Sequence, residues 1–75
     1  MTTTILDIRG LSCPLPIIQT TKAMRDMPAG GVLQVLASDP GALADLEAFC
    51  SSTGNELVGW QDDAGVVSVS IRKIA

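Results

Sequence analysis

Pro14 and Pro16 can share a helix in one place only, its first turn, where the missing N–H has no intrahelical acceptor and a φ of about −65° is already helical. The pair therefore marks a helix start. Downstream, Ile17, Ile18, Met24 and Met27 recur at roughly helical spacing as far as Met27-Pro28, where proline disfavours helical geometry in the residue before it. The spacing predicts a first helix from about Pro14 to Arg25 or Asp26, with Cys13 at or beside its N-cap. Before it, Thr4-Ile5-Leu6-Asp7-Ile8 is a short, β-branched apolar run that stops at Arg9-Gly10, the pattern of a strand ending in a turn. Met1 to Thr3 are expected to be disordered.

After the turn Pro28-Ala29-Gly30-Gly31, the nearly continuous apolar run Val32–Leu36 predicts a central strand. Its alternation leaves two contact sets, and Leu33 with Val35 is expected to face the helices rather than Val32 with Leu36. Ser38-Asp39-Pro40 predicts a second helix from Pro40 to Ser52, with Asp39 as N-cap and Leu43, Leu46, Phe49 and Cys50 on its apolar stripe. Of these, Leu43, Leu46 and Phe49 are expected to be buried against the central strand. Beyond the break at Gly54-Asn55, Glu56–Gln61 and Val66–Arg72 flank Asp62-Asp63-Ala64-Gly65 as a C-terminal hairpin. The order β-α-β-α-β-β predicts an α/β (α+β) two-layer sandwich, with both helices packed on one face of a four-stranded mixed sheet. Residues 1–75 are expected to form one domain. Only 3% of those 75 residues are aromatic, so its core must come from Val, Ile, Leu, Ala and Met.

Charge and composition exclude several functions. Five Lys and Arg against eight Asp and Glu give a net charge of −3, the wrong sign for direct nucleic-acid binding. With no His and only Cys13 and Cys50, the chain cannot supply an N/S zinc site, a Ser-His-Asp triad or a Cys-His dyad. No cofactor and no metal are expected. The start Met1-Thr2-Thr3-Thr4 lacks a secretory pattern, and no apolar run approaches the roughly 18 residues that span a bilayer. A cytoplasmic location without membrane insertion is expected.

Cys13 carries the chemistry. A cysteine at a helix N-terminus faces unpaired backbone N–H groups and the positive end of the helix dipole, so its pKa is expected below the free-thiol value of about 8.5. Pro14 and Pro16 stiffen the turn behind it, and Arg9, just upstream, is a candidate to add positive potential, although sequence does not give the direction of its side chain. Lys22, more than two turns along the helix, is a weaker candidate for docking a partner. A thiolate without a general base points away from acyl transfer and toward sulfur-to-sulfur exchange, in which one thiolate attacks and another leaves. No second cysteine stands nearby to make a C-x-x-C redox pair.

The string Asp7-Ile8-Arg9-Gly10-Leu11-Ser12-Cys13-Pro14-Leu15-Pro16 resembles the TusA/SirA/YedF-like sulfur-carrier family, whose signature is Cys-Pro-x-Pro at the start of the first helix. The resemblance extends through Lys22, Asp39-Pro40, Phe49-Cys50 and Gly54-Asn55-Glu56-Leu57 to Ile71-Arg72-Lys73. It implies a sulfurtransferase that accepts sulfane sulfur as a persulfide on Cys13, from a desulfurase, a rhodanese or another carrier, and passes it to an acceptor protein. Arg9, Gly10, Pro14 and Pro16 are then the supporting motif. Family members serve tRNA thiolation, molybdenum-cofactor biosynthesis, sulfur oxidation and thiosulfate uptake, so the motif does not name the recipient. The competing reading is a non-catalytic interaction or redox-regulatory module. Cys50 reads as core, Met24 and Met27 as core filler rather than metal ligands, and Arg9 and Lys22 as ordinary surface charges unless geometry says otherwise.

Overall fold

A computed structural model describes residues 3–12 and 14–74. Six elements follow one another: β1 (Thr3–Asp7), α1 (Leu15–Arg25), β2 (Val32–Ala37), α2 (Ala42–Thr53), β3 (Glu56–Asp63) and β4 (Val66–Arg72). They build a four-stranded sheet in the order β1-β2-β4-β3. β1 runs parallel to β2, and β4 is antiparallel to both β2 and β3, so the sheet is mixed. This is the expected β-α-β-α-β-β order, with Thr3 already inside the first strand.

Strand register explains why one face is covered. Leu33 stands opposite Ile71, Val35 opposite Val69 and Ala37 opposite Val67. Because opposed residues share a face, these six apolar side chains form one surface, and all six are buried. The alternate positions present Gln34, Ser68 and Ser70 on the other face, where Gln34 Nε2 donates to Ser68 Oγ at 2.9 Å. The helices pack against each other as well as against the strands, which places both on the apolar side. The contact set Leu33 with Val35 is the buried one.

On α2 the innermost stripe is Ala42, Leu46 and Cys50, spaced by four residues. Leu43 and Phe49 flank it and are only half-buried, a correction to the expectation that both would be buried with Leu46. The helix also starts two residues later than predicted. Asp39, Pro40, Gly41 and Ala42 first form a turn closed by the Ala42 N–H donating to the Asp39 carbonyl at 3.0 Å, and Gly41 is the N-cap without any side-chain cap bond. Pro40 serves that turn, where its fixed φ is favourable, rather than the first helical position. The hairpin loop is tighter than predicted: Ala64 and Gly65 both have positive φ, the pattern of a two-residue turn, so β3 continues through Asp63.

α1 begins at Leu15 with Pro14 as N-cap and Pro16 buried in the first turn. Its other end is held from a distance. Lys73 Nζ donates to the Met27 carbonyl at 2.6 Å and the Arg25 carbonyl at 3.4 Å, supplying a cation to the C-terminal end of the helix. Met24 and Met27 lie in the core, as expected of fillers.

Two substitutions test this packing. Leu46→Ala should cost about 2–5 kcal/mol in urea unfolding, since Leu46 is fully buried opposite the sheet. Thr20 on α1 is fully buried too, and its Oγ1 has no hydrogen-bond partner among the described residues. Thr20→Val removes that stranded hydroxyl and should raise stability by roughly 1 kcal/mol, measured in the same way. A loss of stability on Thr20→Val would show that the hydroxyl has a partner.

Candidate functional site

The parallel pair β1 and β2 ends at one edge of the sheet, and the β1–α1 and β2–α2 loops emerge there side by side. Such an edge is where open α/β sheets place their sites. The Ile8 N–H donates to the Leu36 carbonyl at 2.8 Å, extending the ladder one residue past β1 and burying Ile8. The chain then turns, closed by the Leu11 N–H donating to the Ile8 carbonyl at 3.2 Å. Gly10 has φ +86° in that turn, a backbone region that glycine enters without strain. Its N–H donates to Ser38 Oγ at 2.8 Å, joining the two loops.

Cys13 lies outside the described residues, and its neighbours define its setting. The Leu15 N–H donates to the Ser12 carbonyl at 2.9 Å and the Ile18 N–H to the Pro14 carbonyl at 3.2 Å. Pro14 and Pro16 have no N–H, so the first turn of α1 offers fewer free donors than the general argument for a helix N-terminus assumes. The helix dipole remains. Exposed Pro14 opens a groove between the helices that continues along Ile17, Asp45, Ala48 and Phe49.

The predicted supporting residues separate. Arg9 is exposed and turned to Asp7, with Nε to Oδ1 at 2.9 Å and Nη2 to Oδ2 at 2.7 Å, while its backbone N–H also donates to Oδ1 at 3.1 Å. Its charge is thereby largely neutralised. Asp7 was not among the predicted site residues, although the i, i+2 spacing at a strand end is a signal for such a pair. Gly10 and Pro16 shape the loop and the helix start. Lys22 is exposed in the last turn of α1, roughly 12 Å along the helix from Pro14, so the fold does not bring it to the loop. Cys50 is buried on α2, and loss of solvent pushes its thiol pKa up. Among the described residues no group of three or more His, Cys, Asp or Glu could hold a metal. No described helix is long and apolar enough to cross a membrane.

Residues 4–73 match the family model for sulfurtransferase TusA. The chain belongs to the TusA sulfurtransferase family. The sulfur carrier protein TusA of Pseudomonas entomophila is 46% identical over 93% of this chain and 88% of its own length. That of Allochromatium vinosum is 44% identical over 91% of this chain and 90% of its own. Bacillus subtilis YrkF is 45% identical over 95% of this chain, which spans 38% of that protein. The crystal structure of a SirA-like protein from Desulfitobacterium hafniense shares the fold at TM-score 0.82 and 30% identity, covering 100% of both chains. Membership in the TusA family supports a sulfur-carrier role, and a carrier works between a sulfur donor and a sulfur acceptor.

The Asp7–Arg9 pair gives a pH test. The Arg9 side chain and backbone hydrogen bonds hold the Asp7 carboxyl at about 2 against its ordinary 3.8. The folded-state pKa is depressed, so the stabilisation is present above about pH 4 and lost as pH falls toward 2. Both groups are exposed, which keeps the effect small and screened by salt. The melting-temperature difference between wild type and Asp7→Asn should be constant at neutral pH and close between pH 4 and 2. A gap that persists at pH 2 would contradict this assignment.

Proposed function

We propose that this protein carries sulfane sulfur as a persulfide on Cys13 and delivers it to the thiolate of a partner protein in the cytoplasm. The observation that carries the reading is the family match over residues 4–73, a span that contains Cys13. Burial supports the choice of cysteine. The chain has two, and Cys50 is packed in the core with its thiol pKa raised, which leaves Cys13 as the thiol for exchange.

The transfer is two displacements. The Cys13 thiolate attacks the terminal sulfur of a donor persulfide, on a desulfurase, a rhodanese or another carrier. A new S–S bond forms on Cys13, the donor's S–S bond breaks, and the donor leaves as a thiolate. An acceptor thiolate then attacks the terminal sulfur on Cys13, which leaves as a thiolate in turn. One zero-valent sulfur moves between thiolates, so no oxidant, reductant or histidine is needed.

Incubation with a cysteine desulfurase and cysteine should add the mass of one sulfur atom, removable by a thiol reductant. Cys13→Ser should stay folded and take up none. Cys50→Ser should still load, with lower stability because a polar group enters the core. An adduct that survives Cys13→Ser and disappears with Cys50→Ser would overturn the assignment. Failure of the wild type to load from any persulfide donor would favour an interaction or redox-regulatory module.

A further inference from the structure

The segment from Ile8 to Pro16 is anchored at its two ends by different forces. Ile8 is buried and hydrogen-bonded to Leu36, and Pro16 is buried in the first turn of α1. Between them, among the described residues, the backbone bonds are local, Leu11 to Ile8, Leu15 to Ser12 and Ile18 to Pro14, and Arg9 pairs with its near neighbour Asp7. Among the described residues, one hydrogen bond ties residues 9–14 to a part of the chain distant in sequence: the Gly10 N–H to Ser38 Oγ at 2.8 Å, across 28 residues.

Ser38 is well founded for such a role. It directly follows Ala37, the fully buried end of the central strand β2, and it directly precedes the Asp39–Ala42 turn that launches α2. Its hydroxyl therefore sits on rigid support, while the group it holds lies three residues before Cys13. Gly10 cannot supply rigidity itself, since glycine is the residue least restricted in φ and ψ.

We propose that Ser38 is a positioning residue for sulfur transfer: by accepting the Gly10 N–H it fixes the path on which the chain enters the Cys13 segment, and so raises the rate at which Cys13 exchanges sulfur. This rests on the carrier reading above. Ser38 is exposed, so water can replace its hydroxyl at Gly10, and the loss should appear as a looser segment rather than an unstable fold.

Ser38→Ala, Ser38→Thr and wild type should be compared by urea midpoint, amide exchange at Gly10, and sulfur uptake from glutathione persulfide, a small donor that needs no docking surface. Ser38→Ala should keep a near-wild-type midpoint, lose protection at Gly10, and load sulfur about two- to tenfold more slowly, the range that one hydrogen bond spans. Ser38→Thr keeps the acceptor and should restore both protection and rate. Ser38→Ala loading at the wild-type rate would overturn the role of Ser38 while leaving the carrier reading intact, and so would slow loading that Ser38→Thr does not rescue. A wild-type protein that takes up no sulfur would overturn the carrier reading instead, and Gly10 exchange would still report whether Ser38 holds the loop.

Discussion

The apolar surface shared by β2 and β4 holds the rest of the molecule in place. Leu33, Val35 and Ala37 meet Ile71, Val69 and Val67 across the central strand pair, and each is buried. Both helices need that surface, because, of the two aromatic side chains in the sequence, Trp60 is exposed and Phe49 only half-buried, and neither builds a second core. β2 is also where the two sheet-edge loops find their reference. Leu36 receives the last ladder bond from Ile8, and Ser38, two residues on, receives the Gly10 N–H. The aliphatic packing under α2 thus fixes the frame on which the β1–α1 loop is hung.

Elements were legible wherever proline or glycine punctuated an apolar pattern. Pro14 with Pro16, Gly30-Gly31 and Gly54 each stand at an element boundary, and Gly54 ends α2 with φ +78°. The errors arise where two local structures can use the same residues. Asp39-Pro40 suits a helix start and a preceding turn equally well, and the backbone bond from Ala42 to Asp39 selects the turn. Ala64 reads as an ordinary loop residue, yet it takes φ +53° because a two-residue connection matches the twist of the paired strands. The half-burial of Leu43 and Phe49 follows from the roll of α2 about its axis, which places Ala42, Leu46 and Cys50 innermost.

The site divides along similar lines. A cysteine followed by two spaced prolines is visible to anyone reading residues in order, and so is the core character of Cys50. Direction is not visible. Arg9 reads as a free cation until its guanidinium is seen on Asp7, whereas the distance of Lys22 from the loop is legible in its spacing along the helix, and α1 places it in the last turn as expected. Ser38 gives no signal at all in a local window, since its partner is 28 residues away and meets it only because β1 and β2 are parallel neighbours.

Restraint in the electrostatics around this loop suits the proposed chemistry. A carrier cysteine is the nucleophile in one step and the leaving group in the next, and the two roles oppose each other: a lower thiol pKa leaves faster but attacks more weakly once ionised. Strong stabilisation of the thiolate would speed delivery at the expense of loading. The chain has means of strong stabilisation within reach, a helix N-terminus and an arginine, and tempers both. Prolines at positions 14 and 16 remove two N–H donors from the first turn, Leu15 gives its own to Ser12, and Arg9 spends its charge on Asp7. What remains is the helix dipole at the start of α1 and a first turn stiffened by Pro16.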